Sequence, residues 1–179
     1  MKYLHHLLFS IGFFILSLQV ASASATPGHT ISVTTPAEFD SVKALVGKWE
    51  GSSKMKDGKD EKVKVTYELT SGGSAVVERL FVGTPHEMVS IYHPEGKKVV
   101  MTHYCMLGNQ PKLTLKQASD KTLFFEMAGV SGIQNKKEPH MHSLKMNFNE
   151  NKKEMTQEWT LYDQGKQIET TVIKLAKKK

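Results

Sequence analysis

From residue 62 onward the chain alternates apolar and polar side chains with a period of two. Val63, Val65, Tyr67 and Leu69 interleave with Lys62, Lys64, Thr66 and Glu68, which predicts a half-buried strand. The same pattern returns in AVVERLF, HEMVSIYH, KKVVMTHYCM, KLTLKQA, KTLFFEM, HMHSLKMNF, EMTQEWTLY and KQIETTVIKLA. Short turn signals separate these runs, among them SGG, Pro94-Glu95-Gly96 and Asp163-Gln164-Gly165. With KWEGSSKM as the first, the count is about ten strands and no helical pattern falls between them. Ahead of them AEFDSVKALVGKW predicts one short helix, with Phe39, Val42, Leu45 and Val46 at helical spacing and Gly47 as its stop.

Ten strands on hairpin-length connections imply an antiparallel meander, and closure is the arrangement that removes its exposed edges. The expected fold is all-β: a single up-and-down barrel over residues 37–179 with a short N-terminal helix, an open two-sheet sandwich being the alternative. Such a barrel can enclose one small ligand.

The first 25 residues stand apart from this pattern. Lys2 is followed by LLFSIGFFILSL and then by the small residues of ASASA. That order predicts a secretory signal peptide cleaved near residues 23–25, with a flexible lead over residues 26–36, and hence a periplasmic or secreted protein. No later stretch is long and apolar enough to be a membrane-spanning helix, so stable membrane insertion is not expected. Cys105 is the only cysteine, and no intramolecular disulfide can form.

Twenty-four Lys and Arg face 18 Asp and Glu; setting Lys2 aside leaves 23 against 18, a charge near +5. Arg79 is the only arginine. Nucleic-acid readers depend on arginine forks, so nucleic acid is not an expected partner. Lysines spread over strand faces fit a solvated surface that resists edge pairing.

GKWEG, residues 47–51, resembles the lipocalin and calycin signature, a short helix followed by Gly-x-Trp at the start of the first strand; Gly47 and Trp49 match. The stretches VVERLFVGTPHEMVSIYH and MTHYCMLGNQP look like a group of small bacterial lipocalin-like proteins. The resemblance implies that Trp49 plugs the closed end of a barrel holding a small apolar or amphipathic molecule, and it implies no reaction. A more distant likeness is to nitrobindin-type haem barrels, whose entry reads Gly-x-Trp-x-Gly-x-Gly. Here Gly47, Trp49 and Gly51 are followed by Ser53, and the last strand has no histidine where that family binds haem.

Strand phase turns Leu113, Leu115, Leu123, Phe125, Leu144, Met146, Phe148, Met155, Trp159 and Leu161 inward. In KKVVMTHYCM the face carrying Val99, Met101, His103 and Cys105 is taken as the inner one. Polar side chains then reach the interior: His103, Cys105, His140, His142 and Gln157. Buried polar groups without partners cost about 1–3 kcal/mol each, so they satisfy one another or hold a ligand. His140 and His142, one residue apart, read as rim side chains. Their alternative role is a pair of metal ligands completed by His103 or Cys105.

A second set is Glu78, His86 and Tyr92. Glu78 with His86 or His103 suits the polar end of a ligand, an acid–base pair or a structural ion pair. Asn109 and Gln110, in the turn MLGNQP, are candidates to cap a ligand, and Trp159 to contact one. No cofactor is named by any motif. The expected function is binding of a small, mostly apolar molecule without chemistry; metal or haem handling and acid–base catalysis are the alternatives.

Overall fold

The computed structural model describes residues 34–54 and 58–179. The signal peptide and nearly all of the lead fall outside the described residues. One helix, α1 (Ala37–Lys43), precedes ten strands: β1 (Gly47–Lys54), β2 (Asp60–Thr70), β3 (Ala75–Leu80), β4 (Met88–Glu95), β5 (Lys98–Tyr104), β6 (Lys112–Ala118), β7 (Thr122–Met127), β8 (His140–Phe148), β9 (Glu154–Asp163) and β10 (Lys166–Lys177). Each strand pairs antiparallel with its sequence neighbours, and β1 pairs with β10, closing the barrel. Among the described residues, no helix is long and apolar enough to cross a membrane.

Closure depends on a glycine. Gly51 faces Leu175 in the β1–β10 register, and a Cβ placed on it would stand 1.8 Å from the carbonyl oxygen of Lys174. Any side chain here would part the two strands that seal the sheet.

The helix covers one end, the base. Phe39 and Val42 are fully buried, Leu45 nearly so, and the Trp49 indole Nε1 donates to the Leu45 carbonyl at 2.8 Å. Fully burying side chains of this size is worth about 1.5–3 kcal/mol each, which holds the short helix in place. It ends at Lys43, earlier than the stop expected at Gly47. Ala44 and Leu45 form a turn, and Gly47, at φ 133°, already belongs to β1.

Alternation along the strands holds for most of the inner face. Val63, Val65, Tyr67, Leu113, Leu123, Phe125, Leu144, Met146, Met155 and Trp159 are buried. Leu69 is a correction: it lies near the end of β2, where the sheet no longer covers it, and is 47% exposed. His86 is a second one: the run HEMVSIYH expected it at the head of a strand, and it sits in the turn before β4.

The largest departure concerns β8. The β8–β9 register runs His140↔Tyr162, Met141↔Leu161 and then Ser143↔Thr160, so His142 is an extra residue in a bulge. Side chains directly opposite each other share a face of the sheet. Met141 lines the barrel mouth together with Trp159, which places His140 and Tyr162 on the outer face. His142 stacks on Tyr162 there, at 4.0 Å between centroids and 21° between planes. The expected single inward phase from His140 to Phe148 is therefore broken at one residue.

Candidate functional site

Away from the helix the barrel opens into a cavity of about 210 Å³. Leu80 from the end of β3, Met88 from the start of β4, Met141, Trp159 and Ile173 supply most of its wall. Phe81, from the β3–β4 turn, lines it as well and holds a φ of 58°. That left-handed backbone costs a non-glycine residue about 1 kcal/mol or more, and such residues concentrate at ligand clamps. His86 lies at the rim.

Glu61, His86, His103 and Thr171 are the polar residues that line the cavity, and of these only His103 is buried. His103, 1% exposed, has its ring 4.6 Å from that of Trp159. Its Nδ1 meets Ser90 Oγ at 3.0 Å, while its Nε2 is buried with no hydrogen-bond partner. Burial alone lowers its pKa to about 4, so the ring is neutral at physiological pH.

Beneath this layer lies a closed polar network. Glu78, with 0% exposure, accepts from Tyr67 at 2.7 Å and from Gln157 Nε2 at 2.7 Å on one oxygen, and from Tyr92 at 2.8 Å on the other. Gln157 Nε2 also donates to the Tyr67 oxygen at 2.6 Å, and Trp159 Nε1 donates to Gln157 Oε1 at 3.2 Å. Burial, and then the neighbouring Glu78 carboxylate, hold the Tyr67 and Tyr92 hydroxyls well above the usual phenol range. Both therefore stay protonated and act as donors. The network fills the middle of the barrel and leaves the free volume at the mouth.

This arrangement sorts the residues expected from sequence. His86, His103 and Trp159 line the cavity. Glu78 and Tyr92 lie one layer below and do not line it. Glu78 pairs with tyrosines and a glutamine, not with His86 or His103, so the expected acid–base pair is not formed. Asn109 is spent on a clasp between mouth loops, donating to Glu138 Oε1 at 2.9 Å and to the Pro139 carbonyl at 2.8 Å. Gln110 is exposed and donates to the Gly108 carbonyl in its own turn. Neither amide caps the cavity.

The expected metal-ligand set does not assemble. Cys105 lies just past the end of β5, half-buried, and burial pushes its thiol pKa up. His140 donates from Nδ1 to the Glu138 carbonyl at 2.6 Å, and His142 Nδ1 then donates to His140 Nε2 at 3.2 Å. The pair stands outside the sheet and His103 inside it. Among the described residues no three His, Cys, Asp or Glu side chains come together as a metal site. Burial, and then His140, lower the pKa of His142.

Sequence reasoning missed Leu80, Phe81, Met88, Met106, Met141 and Ile173 as cavity residues. Four of them, Leu80, Phe81, Met88 and Met106, sit at a strand end or in a mouth turn, whereas Ile173 lies within β10. Met141 carries no sequence signal, because only the bulge turns it inward.

No family model matches the chain, and a search of curated proteins finds no match. Among solved structures, the crystal structure of Rv2717c from M. tuberculosis is similar over 82% of this chain and 100% of its own, with 12% identity and a TM-score of 0.46. The fold is established by the protein's own strand pairing: it is a closed ten-stranded antiparallel barrel.

Proposed function

We propose that the protein is an exported, non-enzymatic binding barrel that holds a small, mostly apolar molecule in its mouth. The observation that carries this is the apolar cavity with one orphaned polar atom, His103 Nε2, on its wall. An unpaired buried polar group costs about 1–3 kcal/mol, and a ligand atom that pairs with it recovers that energy on binding. Size narrows the class. A cavity of 150 Å³ takes benzene, so 210 Å³ suits a single ring or a short chain. The filled polar layer below excludes a long acyl chain. Export is inferred from LLFSIGFFILSL and ASASA, and the lipocalin-like reading is supported by Trp49 against α1 at the closed base.

Native mass spectrometry of protein purified from an exporting host tests the proposal, alongside a Met141→Trp variant that fills the mouth. The expected result is an organic adduct of single-ring size that is absent from the variant. An adduct retained equally by the variant, or no adduct and no calorimetric binding of phenol or toluene, would refute the reading.

A further inference from the structure

The methionines of this chain fall into two groups. Among the described residues Met101, Met127, Met146 and Met155 are buried and fill gaps in the core. Met88 and Met141 are half-buried, Met106 is 57% exposed, and all three line the cavity that His103 lines. They reach it from separate elements: the start of β4, the turn after β5, and β8 beside its bulge. A thioether as open as that of Met106 does not serve as core filler. In the β4–β5 register Ser90 stands opposite His103. Met88, two residues before Ser90 on the same face, is therefore a diagonal neighbour of His103, within reach of a long side chain. Met141 shares the mouth with Trp159, whose ring lies 4.6 Å from that of His103.

Thioether sulfur is a soft, uncharged donor, and with imidazole it suits Cu(I); zinc draws on thiolate, imidazole and carboxylate, and calcium and magnesium on oxygen. Among the described residues no three His, Cys, Asp or Glu side chains gather as a metal site, so thioethers must complete any site here. Charge points the same way. Moving an ion into apolar surroundings costs more the higher its charge, and Glu61 at the rim is the only carboxylate lining the cavity. A monovalent ion fits neutral donors where a divalent one would lie under-compensated. His103 supplies the anchor, because its Nε2 is buried without a hydrogen-bond partner. Coordination through Nε2 needs the imidazole proton on Nδ1. The Ser90 hydroxyl, 3.0 Å away, rotates to accept as readily as to donate and can hold that proton in place. Going beyond the organic-ligand reading, we infer that the mouth is a Cu(I) site, with His103 Nε2 and the thioethers of Met88 and Met141 as ligands and Met106 closing from the rim turn. Unbranched thioether side chains with three rotatable bonds swing onto a captured ion without moving the strands. The Trp159 ring offers the cation a π face. Ion and organic molecule compete for the same space and the same nitrogen.

The test titrates the intact protein anaerobically with Cu(I) supplied as its coloured ferrozine complex. The expected result is withdrawal of one Cu(I) per chain, abolished in His103→Gln. Met88→Leu and Met141→Leu should each weaken it by at least about tenfold, since even an outer partner of a metal site is worth that much. Leucine conserves the volume of methionine, so Met101→Leu and Met146→Leu in the core serve as controls with unchanged affinity. Ag(I), a redox-inert soft analogue, should move the methyl NMR signals of Met88, Met106 and Met141 and leave those of the four core methionines in place. No withdrawal of Cu(I), or wild-type affinity in both Met88→Leu and Met141→Leu, overturns the inference. So does an Ag(I) response confined to the core methionines. An organic adduct without Cu(I) binding refutes the metal site and leaves the first reading standing, whereas Cu(I) binding with no adduct and no phenol or toluene binding does the reverse.

Discussion

His103 and the His140–His142 pair are the same residue type at the same end of one barrel, yet they live under opposite conditions. His103 is enclosed between Ser90 and Trp159, with its Nδ1 hydrogen-bonded to the buried Ser90 hydroxyl. His140 is nearly as buried, 2% exposed, but its cover is local: the carbonyl of Glu138, its neighbour His142 and the ring of Tyr162. Both sites leave one imidazole nitrogen free, Nε2 of His103 inside and Nε2 of His142 outside. Only the first belongs to a side chain that lines the apolar cavity at the mouth. A histidine's chemistry here is set by which side of the sheet it occupies, and one bulged residue decides that side.

The largest effect expected from breaking the inner site comes from its anchor. Glu78→Ala leaves Tyr67, Tyr92 and Gln157 without their shared acceptor and opens a void, so a loss of about 3–5 kcal/mol is expected in urea unfolding. Either His140→Ala or His142→Ala should fall well short of that.

Acid comes next. With a folded pKa of about 4 against an unfolded value near 6.5, neutral His103 contributes stability that is fully present above pH 6.5. That contribution is lost as pH falls from 6.5 toward 4, because the unfolded chain takes up a proton that the folded chain refuses. The loss amounts to roughly 3 kcal/mol. Unfolding free energies measured across this range should show the slope in the wild type and in His140→Ala, and a correspondingly flatter slope in His103→Gln. An unchanged slope in His103→Gln would contradict the burial that the site is built on.

On the outer face, His140→Ala removes a donor to the Glu138 carbonyl and should cost about 1–2 kcal/mol, with phenol affinity unchanged. His142→Ala is the mildest. Its ring stacks on Tyr162 in a partly open position, and a change within about 1 kcal/mol is expected in the same unfolding assay. A large drop in cavity binding for either outer variant would break the inside–outside distinction.

Much of this arrangement was legible before any coordinates. Period-two alternation determined the ten strands, their turn lengths determined antiparallel neighbours, and the need to pair edges made closure the natural end. The inner positions of β2, β7 and β9 followed from the same alternation, because a pleated strand leaves a side chain only two directions. The inward face of β5, taken as the one with His103, was not decided by the sequence, since Val100 and Met106 make the opposite face nearly as apolar and Val100 is buried as well. That one of the adjacent Glu78 and Arg79 is an inward charge needing partners was recognisable, and the structure makes it Glu78. Its partners were not, because Tyr67, Tyr92 and Gln157 come from three other strands, and no local spacing encodes which of them meet across a barrel. The bulge at His142 was equally hidden: an extra residue leaves no mark in the sequence, yet it turns two histidines outward and Met141 inward. Local periodicity thus determined the elements and most of their faces, whereas long-range register and closure decided which polar atoms met and left His103 Nε2 unpaired, since hydrogen bonds across a barrel form between residues far apart in the chain.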